Sequence, residues 1–186
     1  MNQVPTLYDH EELNRLKRRF EEQNRTIQYS GVGARITQSE GIGARVYRST
    51  TQSITQASVT PLSWDTEVYD TDGLWDVAAP TRFTCQHEGY YMAGGSVLLN
   101  ASAGSWRAGR MFFGINLNAG TYVGAHEHYI NGSTFNIIDV TSGMFWMNKG
   151  DYITLDFYHD QVDAKTISAA TAANQYYNCA WIARIA

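Results

Sequence analysis

From about Ala44 to the C-terminus, apolar residues recur at every second position. Two segments, residues 111–117 and 152–158, show this period clearly. One face of the first carries Met111, Phe113, Ile115 and Leu117, and one face of the second carries Ile153, Leu155 and Phe157. Successive side chains of a β-strand point to opposite faces, so the period predicts half-buried strands.

Short polar pairs that contain glycine separate these segments. They are Asp72-Gly73, Gly104-Ser105, Asn118-Ala-Gly120, Asn131-Gly132, Ser142-Gly143 and Lys149-Gly150. Glycine and asparagine accept backbone conformations that other residues avoid, so these pairs predict turns. No second helical pattern lies between them. We therefore expect an all-β head that forms an antiparallel sandwich or barrel.

Several of the predicted strands are apolar on both faces. Phe112 lies opposite the Met111 set, Met92 lies opposite Tyr91, and residues 144–147 are continuously apolar. A single sandwich needs only one apolar face per strand. The surplus predicts contact between subunits, and the alternative is a thick monomeric core.

The first thirty residues follow a helical pattern instead. A capping box of Asp9 and Glu12 opens a helix that can run to about Gln28. Its apolar positions have the spacing of two heptads and are Leu13, Leu16, Phe20 and Ile27. The other positions are too charged for a globular core. The pattern predicts a short oligomeric stem, and the alternative is a lone helix that docks on another surface.

A chain of 186 residues is long enough for one main domain with a leader. Between the two lies a tandem decapeptide, in which Gly31-Val-Gly-Ala-Arg-Ile36 is followed by Gly41-Ile-Gly-Ala-Arg-Val46. Two copies are too few for a solenoid. We predict an anchor and stem at residues 1–30, a glycine-containing connector at 31–43 and the head at 44–186, with a chance duplication as the alternative interpretation of the repeat.

Charge and hydropathy limit the classes of partner that the chain can be expected to bind. The net charge is −4, and basic residues exceed acidic ones only within the first 50 residues, so no nucleic-acid partner is expected. No stretch approaches the ~20 apolar residues of a membrane span, and the N-terminus does not resemble a secretory signal. We expect no membrane insertion and synthesis in a cytosol. Cys85 and Cys179 are far apart in sequence, which predicts two buried free thiols.

Three clusters in the sequence carry groups that could bind a metal or act in catalysis. The motif His126-Glu127-His128 could place two imidazoles on one side of a strand, but two ligands do not make a metal site, and a solvent-facing edge explains them. Asp70-Thr-Asp72-Gly73 resembles the start of a calcium loop that lacks its later ligands. Asp151, Asp156 and Asp160 could include an acid/base pair, but no catalytic motif accompanies them. The sequence therefore predicts no enzyme, no cofactor and no bound metal.

The segment 100–106 is the best candidate for a recognition loop. It offers two hydroxyls and an indole, from Ser102, Ser105 and Trp106. Exposed loop residues of these types are suited to binding a receptor or a glycan. The alternative is a passive connector.

The order of motifs in the head resembles that of complement-C1q-like domains. These motifs are Val68-Tyr-Asp-Thr-Asp-Gly-Leu-Trp-Asp76, Arg82-Phe-Thr-Cys85, Gly89-Tyr-Tyr91, Lys149-Gly-Asp-Tyr152 and Trp181-Ile-Ala-Arg-Ile185. The resemblance spans about residues 44–186. It implies the jelly-roll sandwich that C1q-like domains share with tumour necrosis factor, associated as a trimer and usually placed after a rod or stem.

The chain departs from the animal members of that family because it has no collagen repeat and no signal peptide. Similar domains also occur at the tips of bacteriophage fibres, tail needles and capsid appendages. The resemblance therefore implies a homotrimeric, non-enzymatic virion protein that is assembled in the host cytoplasm and docks on capsid or tail proteins through its N-terminal region. The alternative is an adhesin head that binds a host receptor or glycan.

Overall fold

The computed structural model describes residues 41–100, 107–130, 136–171 and 175–185. Within these ranges the chain forms twelve β-strands and a 3₁₀-helix at Gln175–Tyr177, with no α-helix. None of these described elements is a helix with the length and apolar character needed to cross a membrane. The predicted stem and its residues Leu13, Leu16, Phe20 and Ile27 lie outside the described ranges, and the boundaries at residues 30 and 43 stay predictions.

The first sheet is built around one long strand, β6. Its seven strands are β1 (Gly43–Tyr47), β2 (Gln52–Ile54), β4 (Thr66–Asp70), β6 (Gly89–Asn100), β9 (Ile137–Met147), β11 (Lys165–Ile167) and β12 (Cys179–Arg184). β9 pairs along one side of β6, and β12 and β11 share the other side. β1 and then β4 extend the sheet beyond β12, while β2 pairs with β11. β9 is therefore the edge strand next to β6.

The second sheet has five strands. They are β3 (Thr60–Pro61), β5 (Arg82–Thr84), β7 (Gly109–Leu117), β8 (Thr121–Ile130) and β10 (Tyr152–His159). β10 pairs with β3 and β5 on one side and with β7 on the other, and β8 forms the far edge. Every pairing between these described strands is antiparallel, as predicted.

The core lies between the two sheets and follows the predicted alternation. Met111, Phe113 and Ile115 of β7 are fully buried, as are Ile153, Leu155 and Phe157 of β10. Both cysteines are buried and free, as expected. Burial of these aliphatic and aromatic side chains is the main favourable contribution to folding.

Strand β10 departs from the prediction because it is buried on both faces. Asp156, on the polar face, is only 2% exposed. Its carboxylate accepts hydrogen bonds from the Thr154 hydroxyl, the Asn116 amide and the Tyr122 hydroxyl, at 2.8, 2.9 and 3.1 Å. Burial, and next the neighbouring Asp156 carboxylate, raise the pKa of Tyr122 to about 12. Tyr122 thus stays protonated as a donor, and a polar network covers the second face.

Three of the four turn predictions that fall on described residues are confirmed. Asn118 and Ala119 adopt positive φ angles between β7 and β8, and Gly73 and Gly150 do so in their own turns. The prediction of a turn at Ser142-Gly143 is wrong, because β9 continues through both residues. The pairs at 104–105 and 131–132 lie outside the described residues.

Gly143 serves a close approach of two strands instead of a turn. A Cβ atom on Gly143 would lie 2.9 Å from the Val123 carbonyl oxygen and 3.2 Å from the Gly124 Cα. A Cβ on Gly124 would likewise lie 2.7 Å from the Ser142 carbonyl oxygen. Glycine at both positions lets the backbones of β8 and β9 touch where the edges of the two sheets meet. This contact positions the side chains described next.

Candidate interaction face and histidine–carboxylate cluster

The outward face of β6 and β9 is apolar. We define the apolar face by its exposed side chains, which are Tyr90, Met92, Ile138, Val140, Met144 and Trp146. The strand register places Tyr90 opposite Trp146 and Met92 opposite Met144. The rings of Tyr90 and Trp146 meet edge to face with centroids 5.1 Å apart.

Exposure decides between the two interpretations of the surplus apolar residues. Met144 is 66% exposed and Val140 is 58% exposed, whereas Tyr91 and Met147 on the opposite face are fully buried. The second face is therefore a surface and not part of a thick core. An exposed surface this rich in large apolar side chains is typical of a site of association.

An open groove adjoins the apolar face where β6 meets β12. Its lining includes Val140, Tyr176 and Trp181, together with His126 of β8. A Cβ atom on Gly94 would lie 2.9 Å from the Trp181 ring, so glycine there lets the indole lie directly on the strand. The groove thus joins the apolar face to the histidine side chains of β8.

His126 and His128 lie on the same side of β8, as the sequence predicted. Their rings stack with centroids 4.9 Å apart. The structure adds a third group, the carboxylate of Asp139 on β9. Asp139 Oδ1 lies 2.9 Å from His126 Nδ1, and Asp139 Oδ2 lies 3.8 Å from His128 Nδ1. We call these three residues the histidine–carboxylate cluster.

The two oxygens of Asp139 differ in their partners. Oδ1 also accepts a hydrogen bond from the Val140 amide at 2.9 Å. Oδ2 is buried and has no hydrogen-bond partner, and the facing His128 Nδ1 is equally buried and unpartnered. The sequence does contain a signal for Asp139, which is the only acidic residue in an otherwise apolar run with Ile138 and Val140 on either side. Burying a carboxylate in a strand costs free energy unless the carboxylate has a partner, so a partner could have been expected.

His159 shows what a structural histidine looks like in this fold. It is fully buried, and burial lowers the pKa of its ring. Its Nε2 lies 3.1 Å from the Ile54 carbonyl oxygen, and its Nδ1 accepts a hydrogen bond from the Gln161 amide at 3.2 Å. Both ring nitrogens are therefore satisfied, unlike Nδ1 of His128.

The other acidic candidates act in local structure. Asp70 accepts hydrogen bonds from the amides of Asp72, Leu74 and Trp75, which engage both of its oxygens in the turn after β4. This use argues against the calcium interpretation. Asp151 accepts from Asn118 and Asn148, and Asp160 accepts from the Arg110 amide, while Asp156 belongs to the β10 network. Each carboxylate has a structural role that needs no substrate.

The predicted recognition residues Ser102, Ser105 and Trp106 lie outside the described residues, so this prediction stays untested. The strand ends that flank them are described. Near Asn100 at the end of β6, Leu99 pairs with Ile137, and Gly109 at the start of β7 pairs with Ile130. The connections β6–β7 and β8–β9 therefore leave from the same end of the sandwich.

Two solved structures have a fold similar to that of this chain. The crystal structure of murine APRIL at pH 5.0, a protein of the tumour-necrosis-factor family, is similar with a TM-score of 0.56 and 14% identity. The match covers 78% of this chain and 100% of that one. The globular domain of zebrafish complement 1qA protein matches over 77% of this chain and 96% of that one, with a TM-score of 0.49 and 14% identity.

No protein-family model matches the sequence, and a search of curated proteins found no match either. At 14% identity, the likeness to APRIL shows a shared fold and no more. The head of this chain is thus an antiparallel, all-β sandwich with the fold of a tumour-necrosis-factor-like protein.

Proposed function

We propose that this chain is a non-enzymatic structural subunit that associates as a homotrimer through the apolar face of β6 and β9. The apolar face carries the proposal, because a monomer leaves Met144 and Val140 in water on the edge strand of a sheet. Removing a large apolar side chain from water contributes roughly 1.5–3 kcal/mol. The six side chains of the apolar face are about half exposed, so each would gain about half of that amount, and together they would act against the entropy lost on association.

The finer role that we propose is that of a virion appendage. The head would cap or cement the particle, and residues 1–30 would dock on capsid or tail proteins and align the three chains. Two features support this role. The motifs of the head resemble C1q-like domains, a kind of domain that also occurs on phage fibres and capsid appendages, and Leu13, Leu16, Phe20 and Ile27 have heptad spacing. The structural roles of Asp70, Asp151 and Asp160 support a non-enzymatic head.

The test is the solution mass of the full-length chain by light scattering, alone and with Met144→Glu. The wild-type chain should have a mass near three times 20.9 kDa. A carboxylate at position 144 would be desolvated in the interface, so the variant should dissociate to the monomer at micromolar concentration.

Val77→Glu is the matched control, because Val77 is also exposed but lies in the loop between β4 and β5. It should leave the mass unchanged, and circular dichroism should show the same fold for all three proteins. A wild-type chain that stays monomeric at high concentration would contradict the proposal. So would a Met144→Glu variant that stays trimeric.

A second candidate function is that of an adhesin head for a host receptor or glycan. The observation that favours it is the shared end of the sandwich from which the β6–β7 and β8–β9 connections leave. Tyr129, on β8 near this end, is 66% exposed, and aromatic rings at such positions suit sugar or protein ligands.

A glycan array screened with the trimer separates the two candidates. An adhesin should bind a defined set of glycans and should lose that binding with Trp106→Ala or Tyr129→Ala. A purely structural appendage should bind none of them, and both variants should behave like the wild type.

A further inference from the structure

The histidine–carboxylate cluster joins the two sheets at one edge of the sandwich. His126 and His128 come from β8 of the second sheet, and Asp139 comes from β9 of the first. We propose that these three residues bind a divalent transition-metal ion, with Zn²⁺ as the best fit, which clips the two sheets together. This inference does not depend on the proposed function.

The distances suit a small metal ion. Ligand atoms that surround Zn²⁺ tetrahedrally at about 2.0–2.1 Å are roughly 3.4 Å from one another. Asp139 offers a different oxygen to each ring, with Oδ1 2.9 Å from His126 Nδ1 and Oδ2 3.8 Å from His128 Nδ1, and both distances are within about 0.5 Å of that value. All three ligand atoms lie within 4.8 Å of one another. Side-chain rotations that move the atoms by on the order of 1 Å would complete the geometry.

The chemistry of the buried atoms also points to a cation. Asp139 is 2% exposed, and its Oδ2 faces His128 Nδ1 with no hydrogen bond to either atom. At 3.8 Å the two atoms are too far apart for a hydrogen bond to each other. A metal ion between them satisfies both, which explains why two polar atoms are buried without a partner.

The surroundings hold the ligands in place. The Val140 amide donates to Asp139 Oδ1 and so orients the carboxylate. The contact between Gly124 and Gly143 fixes the distance between β8 and β9 close to the cluster. Partners that orient the ligands in this way strengthen metal binding.

The chemical types of the three ligands indicate which metal ions the cluster would bind. Two imidazoles and one carboxylate suit Zn²⁺, Co²⁺ or Ni²⁺, whereas Ca²⁺ needs six to eight oxygen ligands. Three protein ligands leave the fourth position of a tetrahedron free. His126 is 53% exposed, so this position opens to solvent or to the groove beside the apolar face.

The test uses tag-free, full-length protein that has been stripped of metal with a chelator. Titration calorimetry with Zn²⁺ should give one ion per chain, and excess Ca²⁺ should not displace it. At about a hundredfold excess over Kd, Zn²⁺ should raise the unfolding temperature by roughly 5–10 °C. Co²⁺ in place of Zn²⁺ should give visible absorption bands that report the imidazole ligands.

Substitutions identify the ligands. His126→Gln and Asp139→Asn should each weaken Zn²⁺ binding at least ~100-fold, because even the loss of an outer partner costs about 10–100-fold. The matched control is His87→Gln. His87 is as exposed as His126, at 54% against 53%, and pairs with Asp72 at 3.4 Å, but it belongs to no three-ligand cluster among the described residues.

His126→Gln keeps the test valid if the buried Asp139→Asn variant does not fold, because position 126 is half exposed. The proposal is supported if His126→Gln loses Zn²⁺ binding and His87→Gln keeps it. It is overturned if the wild-type chain binds no Zn²⁺, if it binds well below one ion per chain, or if His126→Gln and His87→Gln bind equally.

Discussion

Gly124 and Gly143 show how two single residues can fix the distance between two sheets. Each lies where an added Cβ atom would come within 3.0 Å of a carbonyl oxygen on the other strand. The neighbours are backbone atoms, which cannot rotate aside as the end of a flexible side chain can. A larger residue at either position must therefore push β8 and β9 apart.

We predict that Gly124→Ala lowers the free energy of unfolding by about 1–3 kcal/mol, because the added methyl group overpacks the contact with Ser142. Urea denaturation of the full-length chain measures the change. The same variant should also weaken Zn²⁺ binding, since His126 would move away from Asp139.

Gly120→Ala is the matched control for this prediction. A Cβ at position 120 would lie 3.8 Å from its nearest neighbouring atom, which is an ordinary contact. Its free energy of unfolding should stay within about 0.5 kcal/mol of the wild type. Equal destabilisation by the two variants would show that close approach is not the cause.

At the scale of elements, one carboxylate ties the loop after β1 to the start of β4. Asp65 accepts hydrogen bonds from the Ser49 amide at 2.6 Å and from the Thr50 amide and hydroxyl at 3.1 and 2.6 Å. Partial burial alone would raise the pKa of Asp65. The hydrogen bonds from Thr50, Ser49 and Thr66 outweigh burial and lower the pKa from 3.8 to about 2.

A lowered pKa predicts a definite pH dependence for this junction. The folded state binds the Asp65 proton less tightly than the unfolded state, so Asp65 stabilises the fold above about pH 4, and that contribution is lost as the pH falls toward 2. Asp65→Asn should therefore unfold at a lower temperature than the wild type at pH 6, and the difference should shrink as the pH falls through about 2. Thermal scans across this range measure it.

The exposed Asp163 supplies the control for the pH series. Asp163→Asn should follow the wild-type curve at every pH. A constant difference between Asp65→Asn and the wild type from pH 6 to pH 2 would contradict the assigned role of the carboxylate.

Strands were predicted from the sequence more reliably than the contacts between them. The period of two in β7 and β10 follows from local backbone geometry, so the inward faces of these strands could be identified before the structure was known. Gly143 could not be interpreted correctly, because glycine serves both turns and close approaches and only the opposite strand decides between them. Asp139 was missed for a related reason, since its partners lie on β8 and only the topology brings them together.

At the scale of the whole molecule, the head presents two kinds of surface. The apolar face of β6 and β9 is suited to association, and at Ile138 it reaches the end from which the β6–β7 and β8–β9 connections leave. The fold of the head agreed with the expectation from its motifs, because their order records the order of strands in a sandwich. The role of the first thirty residues depends on their binding partners, and the motifs of the head carry no information about those partners.

We predict that deleting residues 1–30 leaves a soluble, trimeric head that no longer incorporates into virus particles. The association energy would come from the apolar face, while the deleted segment would supply docking and register. Light scattering measures the first property, and co-sedimentation with particles, using the full-length chain as the positive control, measures the second. Normal incorporation of the truncated chain would contradict the docking role.

The alternation along β9 has a consequence for how such a chain can change over evolution. Its odd-numbered residues, such as Asp139, face inward toward the histidines, and its even-numbered residues, such as Val140 and Met144, form the outer face. Inserting one residue within β9 would turn the inward set outward and the outward set inward. The histidine–carboxylate cluster and the apolar face would then be lost together. We therefore expect insertions to be tolerated in the connection between β8 and β9. Within β9 we expect only substitutions, or insertions and deletions of an even number of residues, because these keep each side chain on its own face.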